Sequence, residues 1–134
     1  MAIEMQGLCP LLQVFDMPTS LRFYRDILGF DVVSTSPPRG PDDLDWAWLK
    51  CNDAAVMLNT RHEFDSRPSA PDPTSVRIHE DVGLFIGCPD VDSAYAELRA
   101  KGLDVAPPKV APYGMKQLCL KDPDGYGICF QWSA

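Results

Sequence analysis

The chain repeats itself. Phe15-Asp16-Met17-Pro18-Thr19-Ser20 and Pro89-Asp90-Val91-Asp92-Ser93-Ala94 both read as a helix start, with a capping carboxylate ahead of the first turn. Each helix runs to a glycine, Gly29 and Gly102, followed by Phe30-Asp31-Val32 and by Leu103-Asp104-Val105. Asp16 to Asp90 is an offset of 74 residues, and Gly29 to Gly102 an offset of 73. Leu49-Lys50 recurs as Leu120-Lys121 at an offset of 71. Small shifts at each loop are what a tandem duplication accumulates.

Each half reads strand, helix, three strands. In the first, strands are expected at about 8–15, 30–35, 44–51 and 54–60. In the second they are expected at about 82–88, 103–106, 115–121 and 126–132. Leu21, Tyr24 and Leu28, then Val91, Ala94, Tyr95 and Leu98, form the apolar stripes of the two helices. Asp122-Pro123-Asp124-Gly125 is a tight turn, and Asn52-Asp53 serves the first half in the same way. Residues 61–80, with Pro68, Pro71 and Pro73, read as a linker. The expected organisation is one domain over 1–134, with modules at 1–60 and 81–134.

At 134 residues the chain can bury roughly two-thirds of its unfolded surface without covalent staples. Lys and Arg number 12 against 19 Asp and Glu, a net charge of −7. That balance argues against nucleic acid and against anionic membrane surfaces, since both demand a basic face. No apolar run is long enough to span a bilayer, and Met1 to Gly7 does not read as a signal peptide. A cytoplasmic location is therefore expected. Five cysteines (Cys9, Cys51, Cys88, Cys119 and Cys129) with no C-x-x-C pair read as reduced thiols.

Phe23-Tyr24-Arg25-Asp26-Ile27-Leu28-Gly29-Phe30 resembles the F-Y-x-x-x-L-G-F signature of the vicinal oxygen chelate superfamily. Asp90-Val91-Asp92 through Gly102, then Asp122-Pro123-Asp124-Gly125-Tyr126, is similar to that family's second-half signature. The group includes glyoxalase I, extradiol dioxygenases, and fosfomycin- and bleomycin-resistance proteins. The resemblance covers nearly the whole chain. It implies an α+β fold of two βαβββ modules in tandem, forming a cupped, partly open mixed sheet paired in a homodimer.

Metal-dependent members place His, Glu or Gln on one first-strand and one last-strand position of each module, where a divalent ion can activate substrate oxygens. Carried onto this chain, and through the repeat offsets of 74 and 71, those positions become Cys9, Leu58, Gly83 and Cys129. Glycine and leucine offer no donor, so no cofactor is expected. The pairs His62-Glu63 and His79-Glu80 are the remaining metal or acid–base candidates, although such dipeptides in a linker are usually just solvated.

Strand parity gives a lining instead. Cys9, Leu11 and Gln13 share a face of the first strand, and Gly83, Phe85 and Gly87 a face of the fifth. The Asp122–Gly125 turn sets Cys119 opposite Cys129 and Gln117 opposite Gln131. The repeat adds Trp46 and Trp48, with Val56 and Leu58 beside them. Tyr113 sits in a Pro-rich loop at the mouth of the second module. The pocket expected from these residues is apolar and aromatic with a few amides, and it has no evident general base or nucleophile. The same side chains also suit plain core or dimer packing. The function expected is metal-free binding of a small aromatic or amphipathic molecule; the alternative is a divalent-metal lyase, isomerase or dioxygenase of the glyoxalase type.

Overall fold

The computed structural model describes residues 2–134. The chain divides into two compact units, Met1–Arg67 and Pro68–Ala134.

The first unit carries β1 (Leu11–Val14), α1 (Met17–Leu21), β2 (Asp31–Thr35), β3 (Trp46–Cys51) and β4 (Ala54–Thr60). Asp16 caps α1 by accepting from the backbone N–H of Thr19, and Pro18 sits in the first turn, where its missing N–H costs nothing. The helix then widens into a π-helical turn over Arg22–Ile27. Asp16 to Gly29 is one residue longer than Asp90 to Gly102. A π turn takes up such an extra residue without breaking the helix, because its bonds skip one residue more. Gly29 (φ +91°) ends the segment, and Phe30 N–H returns to the Tyr24 carbonyl at 2.9 Å.

The strand order is β1-β4-β3-β2, with β1 parallel to β4 and the other pairs antiparallel. Alternation then decides which face each residue takes. Leu12, Val14, Ala47, Leu49, Val56 and Leu58 are all buried, as are Met17, Leu21 and Tyr24 of the helical segment.

The second unit opens with α2 (Pro73–His79), followed by β5 (Gly83–Gly87), α3 (Val91–Ala100), β6 (Lys109–Val110), β7 (Met115–Lys121) and β8 (Gly127–Ser133). Its sheet repeats the topology as β5-β8-β7-β6, with β5 parallel to β8. Val91 and Leu98 of α3 are buried, with Leu118 and Ile128 from the sheet. The fold is thus α+β, two βαβββ modules in tandem.

Two expectations need correction. The expected linker 61–80 contains α2, capped by Asp72, whose carboxylate accepts from Thr74 N–H, and started by Pro73. The strand expected over 103–106 is absent. The ladder to β7 begins only at Lys109, opposite Gln117, after Pro107 and Pro108. Proline has no N–H to donate, so pairing cannot run back through that pair.

The turn between β7 and β8 is tightly built. Asp122 is buried, and its Oδ1 accepts from the backbone N–H groups of Asp124 and Tyr126, both at 2.9 Å. Gly125 adopts φ +93° and lies against α2, where a Cβ would come 2.5 Å from the Val76 carbonyl oxygen.

Candidate functional site

Each sheet has a second face, opposite its buried one. In the first unit, register places Leu11 beside Met57, Trp48 beside Met57, Trp46 beside Asn59 and Gln13 beside Asn59. Asn59 Nδ2 donates to Gln13 Oε1 at 3.3 Å. Cys9 lies just ahead of β1 with the same parity. Burial pushes its thiol up, against an opposing pull from the Lys50 charge and a hydrogen bond with Trp48. Lys50 Nζ stands 5.8 Å from the centroid of the Trp48 ring.

In the second unit, Phe85 lies beside Cys129 and Gly87 beside Gln131 across β5 and β8. Across β7 and β8, Gln117 faces Gln131 and Cys119 faces Cys129, the register that the turn predicted. Gln117 Nε2 donates to Gln131 Oε1 at 2.9 Å and to the Tyr113 hydroxyl oxygen at 2.7 Å. Burial, then the neighbouring Cys119, push the Cys129 thiol up to about 12. Leu11 and Phe85 are 46% and 62% exposed, so apolar surface is open on both of these faces.

Leu58 does not belong to this lining. It pairs with Ala47, is fully buried, and points to the opposite side of the sheet from Trp46 and Trp48. Val56 is buried on that same side. The cause is one residue in a turn. Lys50 pairs with Ala55, while Lys121 pairs with Gly127 across a turn one residue longer, so the repeat offset grows from 71 to 72. The counterpart of Cys129 is therefore Met57, and the slip of one reverses every side chain on the strand. Asn59 joins the face by the same shift.

The four positions equivalent to the family's ligand set are then Cys9, Met57, Gly83 and Cys129. Glycine supplies no donor and a thioether is a poor ligand for a hard divalent ion. This donor set does not fit the oxygen- and imidazole-bound centre. Among the described residues, no group of three or more His, Cys, Asp or Glu side chains is arranged to hold a metal.

The dipeptide candidates lie elsewhere. His62 sits in a cleft of about 270 Å³ in the first unit, its ring edge-on to Phe15 at 6.2 Å. Arg39 lies over Phe64 and Arg67 over Phe15 in that cleft, and both arginines are paired with aspartates. Glu63 is exposed. His79 is held at both nitrogens: Nδ1 is 2.8 Å from the Asp124 carbonyl oxygen and Nε2 is 3.3 Å from the Tyr126 hydroxyl. Its ring stacks on Tyr126 at 4.1 Å. These bonds pin α2 to the β7–β8 turn. Glu80 pairs with Lys121 at 2.9 Å.

The family model described as the Glyoxalase/Bleomycin resistance protein/Dioxygenase superfamily matches residues 8–130. The chain belongs to this superfamily. Among solved structures, TioX from Micromonospora sp. ML1 is 20% identical, with 96% of this chain and 99% of that one covered at a TM-score of 0.74. TnmS3, an antibiotic binding protein from Streptomyces sp. CB03234, is 26% identical, with 100% and 99% covered at 0.68. The bleomycin-binding protein of bleomycin-producing Streptomyces verticillus, solved with copper(II)-bleomycin, is 18% identical, with 96% and 97% covered at 0.67. A comparison with curated proteins gave no significant match. Like its superfamily relatives, the chain is built from duplicated modules, and no helix among its described residues is long and apolar enough to cross a membrane.

Proposed function

We propose that this superfamily member binds and sequesters a small aromatic or amphipathic molecule, without a metal and without making or breaking bonds. The observation that carries the reading is the composition of the two open faces. Trp46, Trp48, Leu11 and Met57 on one, and Phe85 on the other, offer surface for stacking and apolar contact. Each face adds one cross-strand amide pair, Gln13 with Asn59 and Gln117 with Gln131, which can orient polar edges of a ligand. The positions equivalent to the ligand set of metal-dependent relatives hold Cys, Met and Gly in this chain. Similarity to an antibiotic binding protein at 26% identity over the full length supports the same class.

The protein acts as a cytoplasmic homodimer in this account. The five free cysteines suit a reducing compartment, and the exposed Val110 and Trp132, on the other side of the second sheet, suit burial by a second copy. The net charge of −7 favours cationic ligands over anionic ones.

The test is a tryptophan-fluorescence titration of chelator-treated protein with metal-free bleomycin and a panel of planar aromatic antibiotics. Saturable quenching by at least one compound is expected. A stoichiometric, chelator-resistant divalent ion found by elemental analysis would replace this reading with the metal-dependent lyase, isomerase or dioxygenase.

A further inference from the structure

We propose that Cys119 and Cys129 are a redox-active dithiol that closes reversibly into a cross-strand disulfide. The two residues are directly opposed in the β7–β8 ladder, and the Cys119 thiol donates to Cys129 Sγ at 2.9 Å. A disulfide needs its sulfurs about 2.05 Å apart, so closure moves them by less than about 1 Å.

The backbone, rather than a chance rotamer, holds them together. On one side the Asp122 carboxylate locks the turn; on the other, two residues along the same face, the hydrogen bond from Gln117 Nε2 to Gln131 Oε1 spans the same two strands. Cys9, Cys88 and Cys129 each direct a thiol toward a backbone carbonyl, those of Pro10, Asp90 and Phe130, but of the three only Cys129 also has a second thiol opposite it.

The two sulfurs differ in access, which assigns their order of reaction. Cys119 is exposed and lines a cleft of about 270 Å³ with Leu103, Asp104, Val105 and Ala106. Cys129 is 5% exposed. The oxidant class is a low-molecular-weight disulfide. Cys119, as thiolate, attacks one of its sulfurs; the S–S bond breaks and the first small thiol leaves, protonated. Cys129 then gives up its proton and attacks the Cys119 sulfur, and the second small thiol leaves, carrying that proton. Two electrons pass from the protein to the small disulfide, and excess small dithiol reverses the sequence. This inference stands apart from ligand binding and does not depend on it.

The experiment uses the full chain, pre-reduced and then exposed to glutathione disulfide. The reaction is stopped with acid, free thiols are blocked with N-ethylmaleimide, and the digest is read by mass spectrometry. The wild type should give one linked pair, the Cys119 peptide joined to the Cys129 peptide, with Cys9, Cys51 and Cys88 blocked by maleimide. Dithiothreitol should restore all five thiols. Cys129→Ser should stop at a glutathione adduct on Cys119, and Cys119→Ser should give no link at all. A wild-type protein that keeps a stable glutathione adduct on Cys119, links other cysteines, or does not react would overturn the proposal.

Discussion

Gln117 and Gln131 face each other across β7 and β8 and share a hydrogen bond of 2.9 Å on the open face of the second sheet. The first unit has a weaker counterpart in Gln13 and Asn59 at 3.3 Å. Half-buried amides on such a face would be costly without partners, and each pair supplies one for itself. A ligand can share or exchange these hydrogen bonds, because an amide has two N–H groups and two lone pairs. Gln131→Leu removes one hydrogen-bonding partner from the site. Affinity for a bound ligand should fall about tenfold, as expected for one hydrogen bond, with calorimetry as the measurement.

Met57 and Leu58 are neighbours in sequence that should behave as opposites. Leu58→Ala empties fully buried space and should cost about 2–5 kcal/mol in urea unfolding. Met57→Ala lies on the open face and should cost well under about 1.5 kcal/mol while weakening ligand binding. Equal losses of stability would contradict the register.

Gly125 combines a positive φ with the least room for a Cβ of any glycine among the described residues. Gly125→Ala strains the turn and drives a methyl into the Val76 carbonyl of α2. The melting temperature should fall by the equivalent of about 1–3 kcal/mol, and the His79–Tyr126 contact should loosen. Scanning calorimetry and the chemical shifts of the His79 ring report the two effects.

Cys129 gives a pH dependence with a defined sign. Its folded pKa, about 12, lies above the ordinary thiol value of 9.0. The native state therefore holds a proton that the unfolded chain releases. The stability this contributes is complete below pH 9 and is lost as pH rises from there toward 12. Native-state alkylation at pH 8 should accordingly label Cys129 after the exposed Cys51 and Cys119. Early labelling of Cys129 would contradict the burial.

The fold was legible because duplication writes its own check: two capped helices, two glycine stops and a matching Leu-Lys pair fix the modules before any strand is placed. In the second unit the turn chemistry of Asp122 to Gly125 was enough to set the β7–β8 register residue by residue. The first unit failed on Leu58, because transferring that register assumed turns of equal length. The Asn52-Asp53 turn is one residue shorter, and period-two alternation turns that single residue into the wrong face. Residues 103–106 carried the apolar alternation of a strand, but the prolines after them removed the donors that pairing requires. Helix α2 was signalled by Asp72 and Pro73, and the surrounding prolines obscured it. The π turn could not be read from the sequence, although the one-residue excess between Asp16 and Gly29 was already visible.

Metal-free binding of an aromatic small molecule at the open sheet faces is the function proposed for this chain. Isothermal titration calorimetry on chelator-treated protein, with metal-free bleomycin and planar aromatic antibiotics as titrants, is the deciding measurement. Saturable binding by at least one of them is expected, unchanged when chelator is present and lost in a Trp48→Ala, Phe85→Ala double variant that still melts cooperatively. Binding that appears only after a divalent ion is restored, or that survives both substitutions, would contradict it.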